Sequence, residues 1–141
     1  LFPQLSSMTD ARQKWRLTRR AALGVGLITA ILAIVAGWLA KPVLTILYGN
    51  DFLPTLPAFL WLLPAVVVVA VNSIFMNYFA SLGMPLITVY SPGIAALLNI
   101  IANLWLLPHC GIVGASLSSL GAYSLMLIVS ILYIYWRKPA I

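Results

Sequence analysis

The sequence predicts an all-α membrane protein with four transmembrane helices, and three observations carry that prediction. The first is composition: 63% of the 141 residues are hydrophobic and 7% are charged, far from the globular average. The second is distribution, since no Asp, Glu, Lys or Arg occurs between Phe52 and Trp136. The third is punctuation, in which long apolar runs alternate with short turns rich in Pro and Gly. A soluble domain has no means of covering so much apolar surface, so lipid is the expected solvent.

The formal net charge of +6 first suggests a nucleic-acid binder, but the placement of the charges argues against one. Arg12, Lys14, Arg16, Arg19 and Arg20 precede the first apolar run, Arg137 and Lys138 follow the last, and Lys41 stands between. This is the positive-inside pattern. It predicts both ends of the segment on the cytoplasmic side and Lys41, Asp51 and His109 on the other. The basic cluster is read first as an orientation signal rather than a specific ligand contact, though a polybasic end also attracts anionic lipid head groups; no nucleic-acid partner is expected.

Residues 1–20 read as a cytoplasmic loop and the start of a basic helix. Thr9 or Asp10 is placed to cap it, with Gln13 able to reciprocate, and Trp15 suits the membrane interface. The four-helix region covers 21–141. Its first span, 21–40, is a run of twenty uncharged residues between Arg20 and Lys41, and about twenty are needed to cross the hydrocarbon core. Small residues recur four apart at Ala22, Gly26 and Ala30, and again at Ala33 and Gly37, which either permits close helix packing or reflects the abundance of Gly and Ala in membrane helices. The run after Pro42 is too short to cross and is read as a helix end leading to a turn at Gly49 to Asp51.

The second span, about 56–80, contains Pro64, where a lost backbone donor predicts a bend. Ser81 to Pro85 form the next turn. The third span, about 86–107, contains Pro92 and Gly93, a pair that weakens helix regularity. Pro108 to Gly111 then close a hairpin into the fourth span, about 112–136. Gly111, Ala115 and Ser119 form one small-residue row of that span and Gly114, Ser118 and Ala122 the next. Tyr133, Tyr135 and Trp136 make an aromatic belt before Arg137.

Uncharged polar residues are the only site candidates: Asn72, Asn77 and Tyr78 in the second span, Asn99 and Asn103 on one face of the third. They are either interhelical glue or the lining of a hydrated substrate path. His109 and Cys110 are adjacent but lack the further ligands of a metal site, so no metal and no cofactor is expected. No nucleophile and base, metal cluster or phosphate loop is present, and the chain is not expected to be an enzyme.

Taken together, LFPQLS at Leu1 to Ser6, AKPVLTILYGNDF at Ala40 to Phe52, SLGMP at Ser81 to Pro85 and the hairpin LLNIIANLWLLPHCGIVGASLSS from Leu97 resemble the C-terminal part of the oligosaccharide flippases of polysaccharide biosynthesis (the Wzx type). These belong to the multidrug and polysaccharide exporter superfamily. The resemblance covers almost the whole chain and rests on helix ends and packing faces rather than on a catalytic signature. It implies four helices of the second lobe of a two-lobe transporter in a bacterial-type plasma membrane, with its remaining helices upstream in the same chain. It also implies a polyprenyl-diphosphate-linked oligosaccharide as cargo, moved outward by alternating access. No cation lies inside any span, so contacts with the diphosphate are expected from the upstream helices. Two other readings are export of small cationic drugs on the same fold, which usually calls for an intramembrane carboxylate, and a four-helix scaffold that only holds partners.

Overall fold

The computed structural model describes residues 5, 10–83 and 85–137. It is helical almost throughout: α1 covers Ala11–Tyr48, a short 3-10 helix Asn50–Thr55, α2 Leu56–Ser81 and α3 Pro85–Arg137. Three helices are long and apolar enough to cross a membrane. Three long helices therefore stand where four separate ones are expected, and the difference lies at the Pro108 to Gly111 corner. The helix runs through Pro108, His109 and Cys110, and only Gly111 leaves helical geometry, with φ 57° and ψ −145°.

That one residue folds α3 back on itself. In an unbroken helix residues 99 and 119 would lie about 30 Å apart, yet the Asn99 side-chain amide donates to the Ser119 hydroxyl at 3.2 Å. Gly114 packs against the backbone of Leu106 so closely that a Cβ there would sit 2.6 Å from the Leu106 carbonyl oxygen. The arm before Gly111 and the arm after it are thus antiparallel neighbours in contact.

Local chemistry sets the other boundaries. Asp10 caps α1, its Oδ1 accepting from the Arg12 amide at 2.9 Å; the alternative cap, Thr9, lies outside the described residues, as does Lys138. The helix continues past Ala40 and through Pro42 to Tyr48. The Thr45 hydroxyl there donates to the Lys41 carbonyl at 2.9 Å, and Gly49 ends the helix with its amide on the Thr45 carbonyl. Pro64 lies inside α2 and Pro92 inside α3 without interrupting either helix. At the end of α2 the Leu82 amide reaches the carbonyls of Tyr78 and Phe79, and the turn passes through Gly83 into Pro85.

α1 packs on α2, and α2 on α3. The small-residue row of α1 serves close approach: a Cβ at Gly26 would lie 3.1 Å from Val71 Cγ2, and one at Gly37 would lie 3.3 Å from Leu63 Cδ1. Trp15, Tyr78, Phe79, Tyr133 and Ile134 cluster at one end of the bundle. Trp15 meets Tyr78 with ring centroids 5.6 Å apart, and Phe79 meets Tyr133 edge-on at 5.5 Å. The two ends of the described chain therefore lie at the same end of the bundle. The outward face of α1 leaves Leu27, Ile31, Ile34 and Trp38 exposed, a surface suited to lipid rather than water.

Candidate functional site

Among the described polar side chains inside the bundle, three groups are created by packing between helices or between the arms of α3. At the end that carries Arg12 to Arg20, Lys14 is buried and its Nζ donates to the Ser81 carbonyl at 3.2 Å. A cation at the C-terminus of α2 meets carbonyls that lack helical donors and the negative end of the helix dipole. Arg12, Arg16, Arg19 and Arg20 are exposed. The basic cluster thus divides into one structural lysine and four surface arginines.

The second group joins α2 to the second arm of α3. Asn72, 1% exposed, accepts at Oδ1 from the Ser130 hydroxyl at 2.8 Å, and Ser130 is fully buried. The same hydroxyl lies 2.8 Å from the Met126 carbonyl. With hydrocarbon on all sides, this pair fixes the rotation of one helix against the other.

The third group lies within the α3 hairpin. The Asn103 amide donates to Asn99 Oδ1 at 2.7 Å, the Asn99 amide to Ser119 Oγ at 3.2 Å, and Ser119 Oγ to the Ala115 carbonyl at 3.0 Å. The row borders a groove of about 440 Å³ lined by Val69 of α2, by Pro92, Ala96 and Asn99 of the first arm, and by Ser119 and Tyr123 of the second, among others. Asn103 Oδ1 and Ser91 Oγ are buried without a hydrogen-bond partner. A buried acceptor left unpaired is a standing penalty and a position where a donor would be welcome. No ionised group borders the groove, so what it offers is amide and hydroxyl hydrogen bonding between apolar walls.

The sequence-predicted candidates therefore separate. Asn99 lines the groove and Asn103 stands behind it, joined by Ser119 and Tyr123, which in sequence form only a weakly polar stripe of the fourth span. Asn72 is spent on Ser130. Asn77 donates to the Ser73 carbonyl one turn back, at 2.8 Å. Tyr78 is buried among the aromatics of the end cluster. Pro92 borders the groove; Gly93, its neighbour, is exposed with open space around it, and Pro64 borders a separate furrow against α1. Ser130 and the Lys14 to Ser81 contact escape sequence reasoning. Ser130 is one polar residue in an apolar stretch, and a carbonyl acceptor leaves no mark in sequence. Among the described residues no cluster of His, Cys, Asp or Glu is placed to hold a metal.

Apolar outer faces around a hydrogen-bonded interior define a multi-pass helical membrane protein. Over 137 residues the chain is 28% identical to an uncharacterized membrane protein of Methanocaldococcus jannaschii, an alignment that covers 95% of this chain and 27% of the relative. The chain thus corresponds to roughly a quarter of the length of the curated relative it matches. No family model matches it, and no solved structure matches at a significant level.

Proposed function

We propose that this chain is part of a transporter that moves a lipid-linked oligosaccharide across the plasma membrane by alternating access, and that the groove beside Asn99 faces the sugar. The observation that carries the reading is the Asn103, Asn99 and Ser119 row, which borders an open groove of about 440 Å³, whereas the Asn72 and Ser130 pair is sealed. Carbohydrate hydroxyls donate and accept, and so do the amides and hydroxyls of this row. Its lack of charge favours a neutral glycan over a cationic drug, whose recognition calls for a carboxylate.

In this reading the hairpin counts as two crossings, for four in all, with both ends of the segment in the cytoplasm. The four helices belong to one lobe of a longer protein, as the resemblance to the oligosaccharide flippases implies. The charged diphosphate is met by groups outside this segment. Transport then requires the cargo to favour one lobe arrangement over the other, because a ligand that binds both equally shifts nothing.

The test is a flipping assay on the full-length protein in proteoliposomes. Asn99→Ala with Asn103→Ala is expected to reduce the rate about tenfold, the loss of one or two hydrogen bonds of ordinary strength to the cargo. Asn77→Ala, which alters an amide bonded only within its own helix, is expected to leave the rate unchanged. An unaffected double variant removes the groove from the mechanism.

A further inference from the structure

A second feature of the bundle lies on the opposite side of α2 from any role in the groove. An apolar furrow of about 490 Å³ runs along α1, between that helix and the second arm of α3, with α2 as its floor. Ala22, Gly26 and Ala30 form its α1 wall, Val71 and Phe75 its floor, and Leu127 lies on the far wall. It starts at Trp15 and Arg19 and reaches Ala30, about 22 Å along the helix axis. One leaflet offers about 15 Å of hydrocarbon plus a head-group layer of about 6 Å, so the furrow matches one lipid leaflet from head group to chain end.

Charge identifies the occupant. Arg19 stands at the mouth, one residue before the uncharged stretch begins, at head-group depth; Arg12, Arg16 and Arg20 are exposed on the same two turns and the next. None of these side chains has a hydrogen-bond or ion-pair partner among the described residues. The nearby acid, Asp10, is engaged as the helix cap. Trp15, half-buried against Tyr78, holds the inner side of the mouth rigid. A second copy of this chain docked side by side through the same furrow would bring two arginine clusters together, which repulsion opposes.

We infer that this furrow is a binding site for an anionic phospholipid, its phosphate against Arg19 and Arg16 and one acyl chain lying along Leu23, Leu27 and Ala30. The furrow between α1 and the second arm of α3 has room for the chain, and guanidinium groups bind phosphate in paired hydrogen bonds. The inference requires that the furrow face lipid in the full-length protein and is independent of the cargo.

The test uses the full-length protein with Trp15 as its sole tryptophan, every other tryptophan, including the exposed Trp38, Trp61, Trp105 and Trp136, being replaced by Phe. It is reconstituted in phosphatidylcholine vesicles containing a minor, titrated fraction of dibrominated phosphatidylglycerol or, in parallel, dibrominated phosphatidylcholine. Bromine quenches indole fluorescence at contact, so stronger quenching of Trp15 by the phosphatidylglycerol at equal mole fraction is expected. Arg19→Gln is expected to lower the apparent affinity for that lipid about fivefold, the loss of one interfacial cation, whereas Arg19→Lys retains the preference. An unchanged Trp15 emission maximum in pure phosphatidylcholine confirms that each variant is folded. Equal quenching by the two lipids overturns the inference. So does a preference that survives Arg19→Gln combined with Arg16→Gln, or a Trp15 that neither lipid reaches because other helices of the protein or a second chain cover it.

Discussion

Asn72 and Asn99 are chemically the same side chain in similarly apolar helices, yet their surroundings differ. Asn72 is sealed, and its Oδ1 and the Ser130 hydroxyl satisfy one another with no access for a ligand. Asn99 is half-buried at the edge of a groove, with hydrogen bonds on both sides. The sealed pair makes a stability prediction. Asn72→Ala and Ser130→Ala are each expected to destabilise the bundle by about 1 kcal/mol in detergent unfolding, and together by less than the sum, because either one alone breaks the bond. Additive effects would show that the pair does not interact. The coupling itself is expected near 0.6 kcal/mol, the average for such bonds in membrane proteins. In the sequence both readings of the asparagines, glue and path, stand open. The structure separates the residues by burial and partners: Asn72 is sealed on Ser130, and Asn99 borders the groove.

Among the helices, α3 is the element whose form departs from the simplest reading of its sequence. A Pro and Gly corner from 108 to 111 suggests a turn between two helices, but helical hydrogen bonding tolerates Pro108 and the reversal falls entirely on Gly111. Its φ of 57° with ψ of −145° lies close to a region that residues with a Cβ avoid at a cost of about 1–3 kcal/mol. Gly114 answers a different demand, since the Leu106 backbone occupies the space a side chain would need. Gly111→Ala is therefore expected to destabilise the hairpin by about 2 kcal/mol. Gly114→Val, which drives a branched side chain into backbone, is expected to open it. The measurement is disulfide formation between cysteines placed at Ala95 and Ala122 in a background with Cys110 replaced by Ser. These two residues pack in one cluster on facing arms, so crosslinking should fall in both variants and vanish in the second. Efficient crosslinking in Gly114→Val would contradict the close approach.

For the molecule as a whole, the aromatic cluster at one end and the Gly111 corner at the other imply an even number of traverses. Arg12 to Arg20 and Arg137 then belong to one side, Lys41 to Asp51 and the hairpin corner to the other. Cys110 is exposed at that corner and serves as a natural reporter. In intact cells a membrane-impermeant maleimide is expected to label Cys110, whereas in a Cys110→Ser background a cysteine at Arg16 should be labelled only after permeabilisation. Labelling of both positions from outside would refute the four-crossing topology.

Membrane residence and helical class were legible in the linear chain because they follow from sums over residues: apolar content, the length of uncharged runs and the grouping of cations at the ends. The small-residue row of α1 was legible as a packing face for the same reason, a fixed period along one helix, and Gly26 and Gly37 now have their partners in Val71 and Leu63. The pairing of Asn72 with Ser130, of Lys14 with the Ser81 carbonyl and of Asn99 with Ser119 was not legible. Each depends on the rotation and register of one helix against another, and these are set jointly by many contacts along both. The site lies on that side of the divide: an apolar sequence can say that a few amides must find partners, and only the packed bundle decides which of them are left facing an opening.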